Sequence, residues 1–357
     1  MTERPLCIVH IVPRDGLGGV ETAARSMAAR DDLPCDFHLL FLAGEALAPD
    51  NIRIEARGSG STANPGNAAA LLARCRQLRP DVVVGSLWRS VPLLVALRVL
   101  LPRAKLVMTL NSGRAAHAID DILFRTAARV VDEVWSDSET ALIAREVRAK
   151  SRVISFVIDR SAPVAPAVPA SRFVAWARVD RNKGFDVALG LIAGLAGRGL
   201  NPHFDLHGPD GGAVDALKRQ AVALGIGERV HFHGPIVHAD LHLAAEAASF
   251  FLLPSRFEGM SMACVEAMQF GLVPVVTPAG EMAHYVIPGE TGLIVDPTRL
   301  KHTVDGIAAL LADPDHYAAI QHAAIERWRS APLYADQFCA AARALAGSAA
   351  QTNTSLA

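Results

Sequence analysis

The chain has 357 residues, 51% of them apolar, and its 35 Lys and Arg nearly balance its 36 Asp and Glu, so the formal net charge is -1. This length exceeds that of one typical core and predicts two domains, and a near-neutral chain without blocks of like charge argues against a nucleic-acid partner. The longest apolar stretch, residues 91–101, is interrupted by Arg98 and is well short of the roughly 20 residues that span a bilayer.

The five cysteines are widely scattered and form no C-x-x-C motif. An odd number at such spacing disfavours a disulfide framework and a zinc site, and it fits a reducing compartment. The apolar run at residues 6–12 is too short for a secretion signal, and an acid, Glu3, precedes it. We therefore expect a cytoplasmic protein.

Apolar runs alternate with helical patterns through residues 1–160. Strands are predicted at 6–12, 37–42, 81–85, 105–110, 133–136 and 152–158, with helices from about 20 and at 68–78, 91–100, 119–131 and 140–149. Nearly continuous apolar strands are typical of parallel sheets that are covered on both faces. The pattern predicts a doubly wound, Rossmann-like α/β domain.

Residues 161–170, SAPVAPAVPA, contain three prolines and no charge, so we expect a linker at 161–171. The strand and helix pattern then restarts, and residues 172–330 are predicted to form a second Rossmann-like sheet with a cleft between the domains. A helix within 331–347 is expected to pack back on the N-terminal domain. Residues 348–357 are expected to form a disordered tail.

The stretch SRFEGMSMACVEAMQFGLVPVV, residues 255–276, is predicted to turn out of a strand and enter a short helix for which Ser261 is a good N-cap. Glu258 lies in the turn and Glu266 in the second helical turn, so both carboxylates can face one pocket. An anion can meet the N–H groups between them, which belong to Gly259, Met260 and Ser261. The alternative, a Glu266 that serves the helix dipole and a solvated Glu258, stays open.

Arg178 and Lys183 lie on a predicted strand-to-helix turn within WARVDRNKGFD. They suit a diphosphate, because Arg bridges two oxygens with its planar fork and Lys adds a compact charge. Turn charges that pair with Asp180 and Asp186 are the alternative. Near the N-terminus, the glycines of residues 16–19 let backbone N–H groups approach a phosphate, unless they only form a tight turn with positive φ.

Metal ligands are few. Asp313-Pro314-Asp315 has the D-x-D spacing of nucleotide-sugar enzymes that use a divalent cation, but Asp313 is better explained as the N-cap of a helix with Pro314 at N1. His231 and His233 share one strand face, and we expect no Cys or Asp partner near them. No metal and no cofactor are predicted.

The combination of WARVDRNKGFD with the later SRFEGMSMACVEAM resembles glycosyltransferase family four, which contains retaining enzymes of the GT-B fold. Residues 18–21, 153–159 and 289–295 add to this resemblance, which covers nearly the whole chain and is densest over 173–296. It implies two Rossmann-like domains that face a central cleft. It also implies metal-independent transfer of a sugar from a nucleoside-diphosphate sugar to an acceptor hydroxyl, with retained configuration.

In that family the positions of Arg178 and Lys183 hold the donor diphosphate, and the position of Glu266 holds the ribose hydroxyls. The position of Glu258 lies beside the donor sugar. The resemblance therefore implies Arg178, Lys183 and Glu258 as catalytic residues, in a donor site that also includes Gly18, Gly19, Gly259, Met260, Ser261 and Glu266. Many relatives have a His after the strand at 107–110, where this chain has Asn111, and His117 in the following loop is the other candidate.

Two other functions stay open, a nucleotide-sugar-binding protein without transferase activity and a sugar-nucleotide epimerase.

The acceptor is expected against the first domain and belongs to a cell-envelope polysaccharide, a glycolipid or another glycoconjugate. Basic residues flank the apolar helix at 91–101 and could rest on the inner face of an anionic membrane that carries a lipid-linked acceptor: Arg89, Arg98, Arg103 and Lys105. The alternative is a core helix with basic ends.

Overall fold

The structure is a computed structural model that describes residues 4–16, 18–44, 53–56, 60–115 and 117–354. Contacts divide the chain into two compact units. The first unit is Met1–Ile158 with Pro332–Ala357, and the second unit is Asp159–Ala331. The chain thus leaves the first unit once and returns to it, and none of residues 161–170 lies in a helix or strand.

The described residues of the first unit form a parallel seven-stranded sheet in the order β3-β2-β1-β4-β5-β6-β7. Its strands are β1 (Cys7–Arg14), β2 (Asp36–Ala43), β3 (Ile54–Ala56), β4 (Val82–Ser86), β5 (Lys105–Leu110), β6 (Glu133–Ser136) and β7 (Ser151–Val153). The connecting helices are α1 (Gly19–Ala28), α2 (Pro65–Leu78), α3 (Val91–Leu100), α4 (Ala118–Val130) and α5 (Glu139–Ala144). Apolar side chains of both sheet faces are buried under these helices, as expected for a parallel sheet.

The second unit contains a six-stranded parallel sheet among its described residues, in the order β10-β9-β8-β11-β12-β13. Its strands are β8 (Arg172–Trp176), β9 (His203–His207), β10 (Val230–Gly234), β11 (Phe250–Leu253), β12 (Val273–Val276) and β13 (Leu293–Ile294). Its helices are α6 (Phe185–Ala196), α7 (Val214–Ala223), α8 (Leu241–Glu246), α9 (Met262–Gln269), α10 (Met282–Tyr285), α11 (Leu300–Ala312) and α12 (Pro314–Arg329). The prediction of two doubly wound parallel sheets is confirmed.

The last helix, α13 (Tyr334–Thr354), belongs to the first unit. Its Phe338 is buried, with ring centroids 5.6 Å from His10, 6.0 Å from Phe37 and 5.1 Å from Trp135. The helix continues to Thr354, where the sequence analysis expects a disordered tail from residue 348, and residues 355–357 lie outside the described residues. No described helix is both long enough and apolar enough to cross a membrane.

Several elements differ in length from the predictions. Helix α5 ends at Ala144 instead of 149, because Glu146 has a left-handed backbone with φ 49°. Strand β7 ends at Val153 instead of 158. Beyond it the chain bonds elsewhere, since the carbonyl of Val157 accepts a hydrogen bond from the N–H of Tyr334 at the start of α13. The short elements β3 and α10 are not predicted.

Candidate active site

The strand order of the second sheet reverses between β8 and β11, which are neighbours in the sheet: β9 and β10 lie on one side of them, and β12 and β13 lie on the other. Ligands of doubly wound sheets bind beyond the carboxyl ends of the strands at such a point. The loops that follow Trp176 and Leu253 contain the predicted cations and the first predicted carboxylate. The candidate site therefore lies around these two loops.

The loop after β8 is held by the Asp180 carboxylate and by the close approach of Gly184 to Pro254. Asp180 Oδ1 accepts hydrogen bonds from the N–H groups of Asn182 at 2.8 Å and Lys183 at 3.3 Å. Gly184 has φ 69°, and a Cβ there would lie 1.9 Å from the carbonyl oxygen of Pro254. Only glycine fits this approach to the end of β11, so the loop holds the base of Lys183 in place.

The loops after β8 and β11 are bonded to each other. The N–H of Arg256 donates to the carbonyl of Asn182 at 2.7 Å, and Asn182 Nδ2 donates to the carbonyl of Phe257 at 2.9 Å. The guanidinium of Arg256 pairs with Asp186 at 2.7 and 3.0 Å, and this bond holds the pKa of Asp186 below its usual range. Asn182 thus joins the two loops, a role that the sequence analysis did not find.

Lys183 and Glu258 form an ion pair. Lys183 Nζ lies 2.7 Å from Glu258 Oε1, and the Ser255 hydroxyl donates to the same oxygen at 2.6 Å. Their side chains are 21% and 9% exposed. The alternative in which Lys183 pairs with Asp186 is not adopted, since Asp186 binds Arg256. A Lys ammonium has three donors, so the pair leaves two N–H groups of Lys183 for an anion.

Arg178 is exposed between β8 and the Asp180 turn. Its stem passes Gly211, where a Cβ would lie 3.0 Å from Arg178 Cγ. Within the described ranges its guanidinium has no hydrogen bond or ion pair, and it makes no described contact with Lys183. The fork of Arg178 is therefore open to a ligand.

The start of α9 differs from the prediction at Ser261. This residue has φ 58° and ψ 75°, and its side chain makes no capping hydrogen bond, so the prediction of a Ser261 side-chain cap is wrong. The physical reason is the backbone, because a capping residue normally has an extended conformation. The buried hydroxyl of Tyr285 donates to the carbonyls of Met260 at 2.6 Å and Ser261 at 3.4 Å. Burial raises the pKa of Tyr285 well above its usual range, so this donor keeps its proton.

The segment from Gly259 to Ser261 is supported from behind by Gly280 and Glu281. The N–H of Glu281 donates to the carbonyl of Gly259 at 3.0 Å, and a Cβ at Gly280 would lie 2.4 Å from that carbonyl oxygen. In the part of the chain that the structure describes, the N–H groups of Gly259, Met260 and Ser261 have no acceptor. Three amides next to a helix N-terminus form a place where an anion is stabilised.

Glu266 is held by two ring N–H groups and is 14% exposed. Trp176 Nε1 donates to Oε2 at 3.0 Å, and His238 Nε2 lies 3.0 Å from Oε1. The hydrogen bond to Glu266 raises the pKa of His238, and the charge of Asp159 adds to the effect. Each carboxylate oxygen keeps a free lone pair, so Glu266 is oriented and can still accept from two hydroxyls.

His238 and Trp176 are absent from the predicted site residues. Trp176 ends β8 inside the motif that identified the cations, and His238 follows the carboxyl end of β10 in the same sheet. Polar groups beyond parallel strands meet at one edge, and this rule was the available signal for His238.

Gly18 and Gly19 lie in the first unit, directly before and at the start of α1. Gly18 has φ -100°, so a turn with positive φ is not the reason for this glycine. The Glu21 carboxylate folds back instead, and a Cβ at Gly18 would lie 2.3 Å from its Oε2. The approach of these glycines to a donor stays a prediction.

Asn111 follows β5 and ends a chain of polar groups in the first unit. Its Oδ1 lies 3.0 Å from the Thr109 hydroxyl, which lies 2.7 Å from the Ser86 hydroxyl, and Ser86 lies 2.7 Å from Nε2 of His10. Complete burial lowers the pKa of His10 to about 3, so the ring is neutral. His117 has another task, because its Nδ1 caps α4 by accepting from the N–H of Asp120 at 3.1 Å.

Two of the residues considered as metal ligands, Asp313 and His233, are engaged within the protein. Asp313 Oδ1 accepts from the N–H of His316 at 3.0 Å and caps α12, as predicted. His233 Nε2 lies 2.6 Å from Asp205 Oδ1, so the expectation that His233 lacks an acidic partner is wrong. Strand pairing is the reason, because β9 and β10 are neighbours in the sheet.

Comparison with known proteins gives a consistent result. Residues 168–327 match the family model described as glycosyl transferases group 1. A lipopolysaccharide core biosynthesis mannosyltransferase of Rhizobium meliloti is 31% identical over 165 residues, 42% of this chain and 44% of that protein. A D-inositol 3-phosphate glycosyltransferase of Corynebacterium diphtheriae is 25% identical over 301 residues, 72% of this chain and 70% of that protein.

Two similar solved structures cover nearly the whole chain. The Anabaena protein HepE in complex with UDP-glucose has a TM-score of 0.74 at 19% identity, covering 98% of this chain and 99% of its own. Sucrose-phosphate synthase of Thermosynechococcus elongatus has a TM-score of 0.74 at 20% identity, with 98% and 99% covered. At this identity the likeness concerns the fold, which is of the GT-B type with two Rossmann-like units.

The sequence matches to the first curated relatives are shorter. They span 44%, 29% and 40% of the lengths of those proteins, less than half in each case. The matched region includes the loops after β8 and β11 and the helix α9, so it contains the Lys183–Glu258 pair and Glu266. Residues 168–327 are thus similar to the group 1 glycosyl transferases.

Proposed function

We propose that the protein is a retaining glycosyltransferase that moves a sugar from a nucleoside-diphosphate sugar to an acceptor hydroxyl. One observation carries the proposal. The segment from Glu258 to Glu266 presents a cation-bound carboxylate, three amides without acceptors among the described residues and a second, oriented carboxylate. The amides suit a phosphate and the second carboxylate suits vicinal hydroxyls, which are the two ends of a ribose diphosphate.

The donor diphosphate would bind Arg178, Lys183 and the amides of Gly259, Met260 and Ser261. Negative charge grows on the departing diphosphate in the transition state, and donors that are already in place stabilise it without reorganisation. Lys183 is held by Glu258, and the loops around it are bonded to each other. The site is therefore prepared for the leaving group.

Glu258 would contact the sugar. Its Oε1 accepts from Lys183 and Ser255, whereas Oε2 has no donor among the described residues. The free oxygen suits a sugar hydroxyl, and we assign Glu258 no nucleophilic role. Retention would follow from attack on the face from which the diphosphate leaves, with the leaving phosphate taking the proton of the acceptor.

The acceptor, in this proposal, belongs to a cell-envelope polysaccharide, a glycolipid or another glycoconjugate, since relatives of the chain include a lipopolysaccharide core mannosyltransferase.

We also propose a cytoplasmic enzyme in peripheral contact with an anionic membrane. Arg98 and Lys105 are engaged by Asp132 at 2.6 and 3.7 Å, and Arg89 donates to the Thr62 hydroxyl, so this contact rests mainly on Arg103 and on Val99, which is 78% exposed. Cosedimentation with anionic liposomes should weaken as salt rises.

Metal-independent transfer is a further part of the proposal, and we propose no cofactor besides the co-substrate. The diphosphate would be neutralised by Arg178 and Lys183, and the D-x-D aspartate Asp313 is occupied as a helix cap. Turnover should persist in excess chelator. A strict requirement for Mg²⁺ would contradict the metal-free mechanism.

A screen of nucleotide sugars tests the function. A donor that binds only the native protein raises the melting temperature. The donor found in this way is then incubated with the protein and candidate acceptors, and NMR determines the anomeric configuration of the product. Binding with neither transfer nor slow donor hydrolysis would favour a non-catalytic protein. A new sugar nucleotide formed from donor alone would favour an epimerase. The family match argues against both alternatives.

A further inference from the structure

Two cysteines lie side by side in the first unit although 304 positions separate them along the chain. The Sγ atoms of Cys35 and Cys339 are 3.1 Å apart, and both residues are buried. A disulfide bond is about 2.05 Å long, so an approach of roughly 1 Å would join the two sulfurs. The pair therefore stands close to the geometry of a bond while both thiols are free.

The surrounding structure holds the two cysteines at this distance. Cys35 directly precedes β2, and Cys339 lies early in α13. On one side, Arg343 Nη2 donates to the carbonyl of Pro34 at 3.0 Å. On the other side, the ring of Phe338 packs against Phe37. Contacts next to both cysteines thus join the same two elements, so we expect a bond to need only small side-chain movements.

The two thiols differ in acidity. The hydrogen bond between them raises the pKa of Cys35, which keeps its proton, and lowers the pKa of Cys339. The guanidinium of Arg343 lowers the pKa of Cys339 further. Burial raises the pKa of Cys7 to about 11 and that of Cys264 to about 12, so these thiols are poor nucleophiles. Cys339 is the thiol that should react first with an oxidant.

We propose that Cys35 and Cys339 form an oxidation site at which a small peroxide produces a reversible disulfide between β2 and α13. The Cys339 thiolate attacks one oxygen of hydrogen peroxide and the O–O bond breaks, which gives a sulfenic acid on Cys339. The departing hydroxide takes the proton that the Cys339 thiol released and leaves as the first water. The Cys35 sulfur then attacks the sulfenic sulfur and releases its proton. The S–S bond forms, and the departing hydroxide takes this proton and leaves as a second water. Two thiols lose two electrons, and the peroxide gains them.

The disulfide would close a loop that includes the whole second unit, because the second unit lies between the two cysteines in the chain. Closing a long loop restricts the unfolded chain and stabilises the folded protein. Oxidation would therefore attach the returning helix α13 to the first unit covalently. This inference is independent of the glycosyltransferase activity.

The test uses the full-length protein, reduced and then exposed to hydrogen peroxide. Free thiols counted after denaturation should fall from five to three, since two of the five cysteines are consumed. The intact mass should fall by two hydrogen atoms, and peptide mapping should find Cys35 linked to Cys339. The melting temperature should rise by roughly 5–15 °C and return after treatment with a dithiol reductant.

Variants locate the bond. Cys35→Ser and Cys339→Ser should lose the linkage and the rise in melting temperature, whereas Cys75→Ser, which changes another buried cysteine, should keep both. Peptide mapping of the wild-type protein stands alone if a variant does not fold. An unchanged thiol count, oxygen adducts on Cys339 without a linked peptide, or a disulfide between other cysteines would overturn the proposal.

Discussion

Among the predicted site residues, some are held in place and one is free. Lys183, Glu258 and Glu266 have partners within 3.0 Å, whereas the guanidinium of Arg178 has none in the described part of the chain. A held side chain loses little freedom when a ligand binds, and a free one adapts to it. We therefore expect Arg178 to act on the ligand alone, and Lys183 to act on the ligand and on stability.

Replacement of Arg178 separates these two effects. Arg178→Ala should lower kcat/KM by roughly 10²–10³-fold, because the variant loses a charge-assisted donor to the leaving diphosphate. Its melting temperature should stay unchanged, since the side chain is exposed and unpaired among the described residues. Arg181→Ala, a second exposed cation of the same loop, is the control and should keep full activity. Equal losses in both variants would indicate a general charge effect instead of a specific contact.

The indole N–H of Trp176 orients Glu266. Trp176→Phe removes this N–H and keeps a smaller aromatic ring in its place. The ring packs against Phe251 at 4.8 Å, so the fold should tolerate the change. We expect a higher KM for the donor with a smaller change in kcat, because ribose binding is shared by the ground state and the transition state. Trp135→Phe is the matched control, since its indole also donates to a carboxylate, Glu133, at 2.8 Å in the first unit. An unchanged KM in Trp176→Phe would contradict the orienting role.

Sequence motifs identified the charged residues of the site but not the residues that hold them. Lys183 and Glu258 lie in short segments whose residue types already suggest phosphate and sugar chemistry. His238 is 28 positions from Glu266 and Trp176 is 90 positions away, so their contacts depend on the sheet order, which local patterns do not specify. The left-handed backbone of Ser261 has the same kind of cause, because it is supported by Tyr285 from a helix that was not predicted.

At the scale of elements, apolar periodicity predicted the long buried strands and most helices. It failed for β3, which has three residues, and for the end of α5. A short edge strand has too few buried apolar side chains to produce a recognisable periodic pattern in the sequence. A charge cluster helps to join the edge strand β7 to β6, because Arg152 of β7 donates to both oxygens of Glu133 at 2.8 Å.

This cluster makes stability depend on pH. Glu133 is fully buried, and burial would raise its pKa, but hydrogen bonds from Arg152, Lys150 and Trp135 outweigh burial and lower the pKa to about 2. An unfolded Glu has a pKa of about 4.3, so this contribution is present above that pH and is lost as the pH falls towards 2. At pH 7 it amounts to roughly 3 kcal/mol.

Denaturant unfolding of Glu133→Gln should therefore show a loss of roughly 3 kcal/mol at pH 7, and the difference from wild type should shrink as the pH falls below 4. Glu326→Gln is the matched control, because Glu326 pairs with Arg329 at 2.7 Å on the surface, where such pairs contribute about 0–1 kcal/mol. A loss in Glu133→Gln that does not change with pH would mean that packing, and not charge, stabilises this edge.

At the scale of the whole molecule, the chain folds as two units with separate cores, and the predicted donor residues are divided unequally between them. Arg178, Lys183, Glu258 and Glu266 belong to the second unit, and only Gly18 and Gly19 of the predicted donor site belong to the first unit. A protein with two cores often does not unfold in one step. We therefore expect calorimetry to show two transitions, of which the second unit accounts for one.

A nucleoside diphosphate should raise the transition of the second unit most. At a free concentration of 100 Kd, binding adds about 2.7 kcal/mol, which for a unit of this size corresponds to roughly 5–10 °C. Lys183→Ala identifies the transition of the second unit, because the variant leaves the nearly buried Glu258 without its ion pair and should lower the temperature of that transition alone. The same variant should also reduce the rise in transition temperature that UDP or GDP causes. Any rise in the other transition measures what Gly18 and Gly19 contribute. A nucleoside diphosphate that raises only the transition insensitive to Lys183→Ala would place the donor site outside the loops after β8 and β11.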